Sequence, residues 1–291
     1  MASLSDILVT TSDQYHPPRI TKDKPEIPAI IALIVMVSIM GSASIVFHRM
    51  GWQERTSRRL IFLLSSIMAV SSALSYLAMV SMYGTGYNCE ILNPTSIPSY
   101  EATELYCRMT FGTQSLDWFI TSTIVIIQLS LLAGLNGATT FAGLVSNVFL
   151  FACGRVASDR YRLLSNTRIA WTVFATIFFC FVVWQVGVNS LRAAKSRGAA
   201  FQKPFSRLLE YALLTFTVQY IIFMVAHVWG VVSTNTEMIA FIIADALFKP
   251  VFGFWLLNSY ARIPDFQFEL EGYWSGDSTR NGPSLLTHAD E

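Results

Sequence analysis

Residues 109–154 read MTFGTQSLDWFITSTIVIIQLSLLAGLNGATTFAGLVSNVFLFACG, and Asp117 is the single Asp, Glu, Lys or Arg in the run. A helix needs roughly 20 apolar residues to cross the hydrocarbon core of a bilayer. This stretch holds two such helices, broken at Gly134-Leu135-Asn136-Gly137. Working outward, residues 27–48, 60–89, 169–191 and 211–236 contain no Asp, Glu, Lys or Arg at all. Each is long enough for one span. A last span, about 238–260, departs from the pattern because it carries Asp245 and Lys249. The expected architecture is therefore an all-α membrane protein, a seven-transmembrane-helix bundle. Its helices are expected near 27–50, 58–82, 107–133, 137–157, 167–190, 204–230 and 235–260.

Composition agrees. Of 291 residues, 53% are hydrophobic and 13% charged, against about 25% charged in a typical soluble domain. This argues against a soluble globular fold and against intrinsic disorder. The formal net charge of +1 gives no electrostatic footprint for nucleic acid. The four cysteines are too few for a disulfide scaffold and lack any CxxC metal spacing. No metal cluster and no nucleophile–base pair is apparent, so enzymatic chemistry is not expected.

Three regions follow: an extracellular tail over 1–26, the bundle over 27–262 and a cytoplasmic tail over 263–291. The first 26 residues carry Pro17, Pro18 and Pro25 and lack the basic start and cleavage site of a signal peptide. Basic loop residues set the orientation. Arg49, Arg55, Arg58 and Arg59 follow the first helix, and Arg192, Lys195, Arg197, Lys203 and Arg207 precede the sixth. Both groups are assigned to the cytoplasm, with the N-terminus outside and the chain in the plasma membrane. Arg155, Arg160, Arg162 and Arg168 argue the other way and are outweighed. Cys89 and Cys107 fall near the outer connection between the second and third helices. Either a disulfide or two free thiols suits that setting.

Ionisable residues inside a membrane helix are costly, and function is their default explanation. Asp117 is one case. Asp245 and Lys249 are two more, and their spacing of four puts them on one helix face. Lys249 is the only one of five lysines placed at mid-membrane depth. A buried amine forms a Schiff base with an aldehyde readily, and a protonated one needs an anionic partner. Asp245 and Asp117 are the candidates. The bland alternative is a structural Lys–Asp pair joining two helices. A transporter substrate site is a third reading, but no internal repeat is visible, and Pro250 alone interrupts helix seven.

These residues also resemble a known family, the microbial (type I) rhodopsins. The run Asp245-Ala-Leu-Phe-Lys249-Pro-Val-Phe-Gly-Phe-Trp looks like the fungal opsin branch, as does Glu269-Leu-Glu-Gly-Tyr-Trp-Ser-Gly. Asp117-Trp118 followed by Thr121 looks like the family's counterion segment. The resemblance implies retinal, bound covalently on Lys249 in the centre of the bundle. It implies that Asp117 is the primary counterion and proton acceptor, that Asp245 is the second counterion, and that Thr121 bonds Asp117. It places Trp118, Thr121, Ser122, Asn147, Gly154, Phe216, Gln219, Phe223 and Tyr76 around the retinal. Tyr76 would bond the second counterion, and Ser122 would bond Asn147. Glu237 would belong to a proton-release group, with His227 nearby. Family members are often trimers or dimers, which implies a homo-oligomer in the lipid bilayer.

Departures from the family pattern bear on function. Gln114 stands where pumps carry an arginine, three residues before the counterion. Gln128 stands where pumps carry an acidic proton donor, and it cannot donate by ionising. Slow reprotonation is expected. Three classes compete. The first is a weak outward proton pump, supported by Asp117 and Glu237 and opposed by Gln114 and Gln128. The second is a photosensor, which would need a separate cytoplasmic signalling partner. The third is a light-gated channel, disfavoured because helix two lacks carboxylates between Leu60 and Met82. The expectation is a retinal photoreceptor with a slow photocycle and weak outward proton transport.

Overall fold

The computed structural model describes residues 19–54, 58–83, 85–91, 104–158 and 165–261. Most of the two expected tails, Arg55, Arg160, Arg162 and the segment from Glu269 lie outside the described residues. Among the described residues, seven helices are long and apolar enough to cross a membrane.

The first four are α1 (Ile27–Gln53), α2 (Arg59–Val80), α3 (Gly112–Ala133) and α4 (Gly137–Ala157). The α3–α4 break falls where the sequence places it. Gly134 adopts a left-handed φ of 76° and closes α3, and the side chain of Asn136 caps α4 by accepting from the Thr139 amide. Each residue suits its post, glycine for positive φ at a helix end and asparagine for an N-cap. Arg197 donates to the Leu132 carbonyl, satisfying an end of α3 that its own helix cannot.

The last three helices each contain a wide π turn. The fifth, α5, runs from Ser165–Val183 through Trp184–Asn189 to Ser190–Ser196. The sixth, α6, is Ala199–Phe223 followed by Met224–Val228. The seventh, α7, is Thr234–Ala246, then Leu247–Val251, then Phe252–Ala261. The turn in α7 has an evident cause. Pro250 lacks the N–H that an α-helix would use, so the ladder widens there. The Phe252 amide reaches back five residues to the Leu247 carbonyl, which also accepts from the Tyr211 hydroxyl at 3.0 Å.

A small sheet closes one end of the bundle, and the sequence reading did not foresee it. Its strands are β1 (Arg19–Asp23), β2 (Thr85–Ile91) and β3 (Glu104–Phe111), in the order β1-β3-β2. β1 runs parallel to β3, and β2 runs antiparallel to it. The expected start of the third helix near residue 107 is corrected accordingly: β3 occupies the chain up to Phe111, and the helix begins at Gly112. Part of the expected N-terminal tail is β1. Cys89 and Cys107 face each other across β2 and β3 and are disulfide-bonded.

The sheet is tied to α7. Asp23 accepts from the Tyr106 hydroxyl at 3.0 Å and from the Thr234 amide and hydroxyl at 3.0 and 2.8 Å. Burial pushes its carboxyl up, but the bonds from Thr234 and Tyr106 and the charge of Arg108 outweigh that and hold it below the usual range. A large cluster including Phe47, Phe62, Phe205, Phe248, Phe252 and Leu256 fills one half of the bundle. Leu33, Met36, Met40, Tyr76, Met79, Met109 and Phe111 fill the sheet end.

Candidate functional site

Three ionisable side chains meet inside the bundle. Lys249 is fully buried, Asp117 is 3% exposed and Asp245 is 1% exposed. The Lys249 Nζ stands 2.5 Å from Asp117 Oδ2 and 2.9 Å from Asp245 Oδ2. The residues that the sequence singled out, on α3 and α7, thus form one cluster. One cation faces two anions, so the cluster carries one net negative charge. Buried ions survive only when paired and hydrogen-bonded, and both carboxylates are so held.

They are held unequally. Asp245 Oδ2 accepts from the Tyr76 hydroxyl at 2.5 Å, the Trp118 indole at 3.3 Å and Lys249. Its Oδ1 accepts from the Gln219 amide at 2.7 Å. Asp117 accepts from Lys249 and from the Ser72 hydroxyl at 2.8 Å. The expected bond from Thr121 to Asp117 is not made. Thr121 donates to the Trp118 carbonyl within its own helix, and Ser72 from α2 takes the place at the carboxylate.

A cavity opens beside this cluster. Trp118, Ser122, Gly154, Phe216, Gln219 and Phe223, all expected there, line it, together with Leu150, Phe151 and Tyr220. Two of its wall residues, Trp118 and Gln219, are also donors to Asp245. The cavity and the buried amine therefore share a wall. Gly154 keeps the wall open, since a Cβ there would come within 3.2 Å of the Phe223 ring. Behind Phe216 and Tyr220, Phe179 stacks at 5.4 and 4.1 Å.

Asn147, Thr121 and Tyr76 are not among the residues lining that cavity, where the sequence reading put them. Asn147 bonds Ser122 at 2.9 Å, as expected, and also Thr123 at 3.1 Å, so it steadies the cavity wall from behind. Tyr76 is spent on Asp245. The Gln128 amide donates to the Ser65 hydroxyl at 2.8 Å and the Ile61 carbonyl at 3.3 Å, which links α3 to α2. Gln114 is buried in the first turn of α3.

A second charged cluster lies at the sheet end. Arg108 of β3 pairs with Glu237 of α7, and both are buried. His227 Nε2 stands 3.0 Å from the other Glu237 oxygen. Glu237 and His227 were expected near each other; Arg108 was missed. Ser72 was missed as well. Its signal was the stripe Ser65, Ser72 and Tyr76, which falls on one face of α2 at spacings of seven and four.

The sequence profile described as Bacteriorhodopsin-like protein matches residues 28–263, which takes in all seven helices. The chain belongs to the bacteriorhodopsin-like family. It is an integral membrane protein with the family's seven-helix fold. It is 30% identical to Opsin-1 of Neurospora crassa over 258 residues, covering 89% of this chain and 85% of that one. Over 231 residues it is 26% identical to Archaerhodopsin-2 of Halobacterium sp. (strain aus-2), covering 78% and 82%. Among solved structures, the light-driven proton pump LR (Mac) from Leptosphaeria maculans matches with a TM-score of 0.77 at 27% identity. That match covers 82% of this chain and 97% of that one. The fungal resemblance read from the residues around Lys249 and Asp117 therefore holds over most of the chain.

Proposed function

We propose that this protein is a light-absorbing retinal protein with retinal held covalently on Lys249, a slow photocycle and weak outward proton transport. The observation that carries this reading is the fully buried Lys249 between Asp117 and Asp245, beside an aromatic cavity. The residues suit the group. A long apolar molecule with one cationic end fits a cavity whose far walls are rings and whose near wall bonds a carboxylate. Retinal would supply light absorption and a change of shape at its attachment point.

The chain's own residues supply the rest. Lys249 Nζ holds a proton between two carboxylates. Asp117 Oδ2 is the closer acceptor, and among the described residues the only further donor to this carboxylate is Ser72, on Oδ1, so Oδ2 is the site to which that proton moves. Asp245, with four donors, is already satisfied as an anion and stays one. Trp118 and Gln219 orient Asp245 and wall the cavity. Reprotonation is slow because Gln128, bonded to Ser65 and Ile61, has no acidic proton to give. The proposed cytoplasmic face is the end away from the sheet, where Arg49, Arg58, Arg59, Arg192 and Lys195 lie. The light-driven pump from Leptosphaeria maculans supports proton transport by similarity. Gln128 also favours a second reading, a sensor without transport, because slow return prolongs an active state.

Light-evoked current under voltage clamp, in cells supplied with retinal, separates the readings. Outward current at every voltage is the expected result. Current that reverses with the ion gradient identifies a channel. No current beside a slow visible photocycle identifies a sensor.

A further inference from the structure

We propose that Ser72 is a positioning residue for the proton step: its hydroxyl, arriving from α2, binds Asp117 Oδ1, leaves Oδ2 facing Lys249, and holds the carboxylate as an anion against the proton on that amine. This rests on the proposed function and assigns control of its first proton transfer to a residue outside α3 and α7.

The hydrogen bond is unusual for its place. A hydroxyl inside a helix ordinarily turns back to a carbonyl three or four residues earlier. Ser65, Thr121, Thr123 and Ser146 all do so here. Ser72 does not. Fully buried on α2, it donates across to Asp117 Oδ1 at 2.8 Å. Two ties between the same helices bracket that bond. On one side, the Gln128 amide of α3 donates to the Ser65 hydroxyl and the Ile61 carbonyl. On the other, the Ser75 hydroxyl donates to the Thr113 carbonyl at 3.0 Å, about one helical turn before Asp117. The register of α2 against α3 is therefore pinned on both sides of Ser72. One turn further along α2, Tyr76 donates to Asp245. A single face of α2 thus holds both carboxylates, each through one hydroxyl.

The two oxygens of Asp117 then have separate partners. Oδ1 accepts from Ser72, and Oδ2 accepts from Lys249 Nζ. Gln114, buried in the turn before, brings no charge. Among the described residues, Lys249 and Ser72 are the two donors that hold Asp117 as an anion. When Lys249 gives up its proton, Ser72 is the one that remains.

The transfer balances without another reactant. An N–H bond at Lys249 breaks, an O–H bond forms at Asp117 Oδ2, and one positive and one negative charge disappear together. The Ser72 hydroxyl keeps its own proton throughout, but its bond changes in strength. A hydrogen bond to an ionised acceptor is roughly twice as strong as one to a neutral acceptor. Ser72 therefore favours the arrangement before transfer over the one after it. It also draws part of the carboxylate charge toward Oδ1, which weakens the field of Asp117 at the Lys249 nitrogen. Without Ser72, the ion pair with Lys249 and the two flanking ties still hold Oδ2 in place, so the loss of restraint outweighs the loss of aim.

The first part of the test uses the full chain before retinal is added. Carbon NMR of aspartate-labelled protein, assigned with Asp117→Asn and Asp245→Asn, reads each carboxyl carbon separately. Ser72→Ala should move the Asp117 signal and leave that of Asp245 in place, and Ser72→Thr, which keeps the hydroxyl, should keep both near the wild type. The second part uses retinal-loaded protein. Ser72→Ala should move the absorption maximum to shorter wavelength, the opposite of Asp117→Asn, because more of the carboxylate charge then faces Lys249. Proton transfer to Asp117, followed by flash absorption, should speed up by about two- to fivefold. The protonated Asp117 band in light-minus-dark infrared spectra should rise in frequency as its carbonyl loses a donor. A pocket that had merely loosened would instead shift the spectrum to longer wavelength and slow the transfer, and either result overturns the inference. So does an Asp117 carbon signal that Ser72→Ala leaves unmoved, or a Ser72→Thr variant that behaves like Ser72→Ala. Failure of the wild type to form a visible band would overturn the proposed function instead, and the NMR measurement would still decide whether Ser72 governs Asp117.

Discussion

Asp245 is the most heavily bonded group in the inner cluster, and that gives a prediction with a worked magnitude. In Asp245→Asn the amide has one oxygen and one NH2 where the carboxylate had two oxygens. The oxygen best takes the Oδ2 position, where Tyr76, Trp118 and Lys249 donate. The NH2 then faces the Gln219 amide, which also donates. The Gln219 amide turns over so that its oxygen accepts from this NH2, and a bond to a charged group becomes a neutral one. In the wild type, Gln219→Leu removes a hydrogen bond to a charged group, worth about 1.5–3 kcal/mol. In the Asp245→Asn background the same change removes a neutral bond, worth about 0.5–1.5 kcal/mol. The double-mutant cycle should therefore give a coupling of about 1–1.5 kcal/mol. Asp117→Asn offers an internal check. Its NH2 would face the Ser72 hydroxyl, which rotates to accept, so Asp117→Asn with Ser72→Ala should couple by a similar amount. Equilibrium unfolding of the retinal-free chain in mixed micelles measures all of these variants. Additive effects at either pair would refute the hydrogen-bond assignment.

Other predictions follow from the same geometry. With retinal bound, Asp117→Asn should move the absorption maximum to longer wavelength, because it removes negative charge 2.5 Å from Lys249 Nζ; an unmoved spectrum would make Asp245 the dominant counterion. Gln128→Asp should speed the return of the photocycle, measured by flash absorption, and an unchanged decay would place the reprotonation path elsewhere. Asp23 has its carboxyl held low in the folded chain, so the stability it contributes is present above about pH 4 and is lost as the pH falls through its folded value. Asp23→Asn should flatten the acid side of the stability curve while leaving it parallel to the wild type at neutral pH. An unchanged acid limb would remove Asp23 from the sheet-to-α7 tie.

Much of this architecture is legible in the sequence because a bilayer excludes charge. The long uncharged runs fix the seven spans, and the same rule exposes Asp117, Asp245 and Lys249 as exceptions. The α3–α4 break is legible because Gly134 and Asn136 are the residues that helix ends use. The sheet was not legible. Met109 and Phe111 are as apolar as the helix that follows, so hydropathy alone runs the third helix back through β3. Arg108 escaped notice for the same reason, lying one residue outside the run that isolates Asp117. Thr121 looked like the partner of Asp117 because four residues make one helical turn. Its hydroxyl instead bonds a carbonyl of its own helix, and Ser72 arrives from a neighbouring one. Such cross-helix bonds depend on helix rotation, which sequence spacing within a single helix does not encode.

The central claim is that Lys249 is the attachment site. Retinal is added to the purified full chain, the linkage is trapped with borohydride, and the modified lysine is located by peptide mass spectrometry. The account predicts a retinyl group on Lys249 alone, and loss of both the visible band and the adduct in Lys249→Ala. A visible band that survives Lys249→Ala, with the adduct on Lys195, Lys203 or another amine, would contradict it.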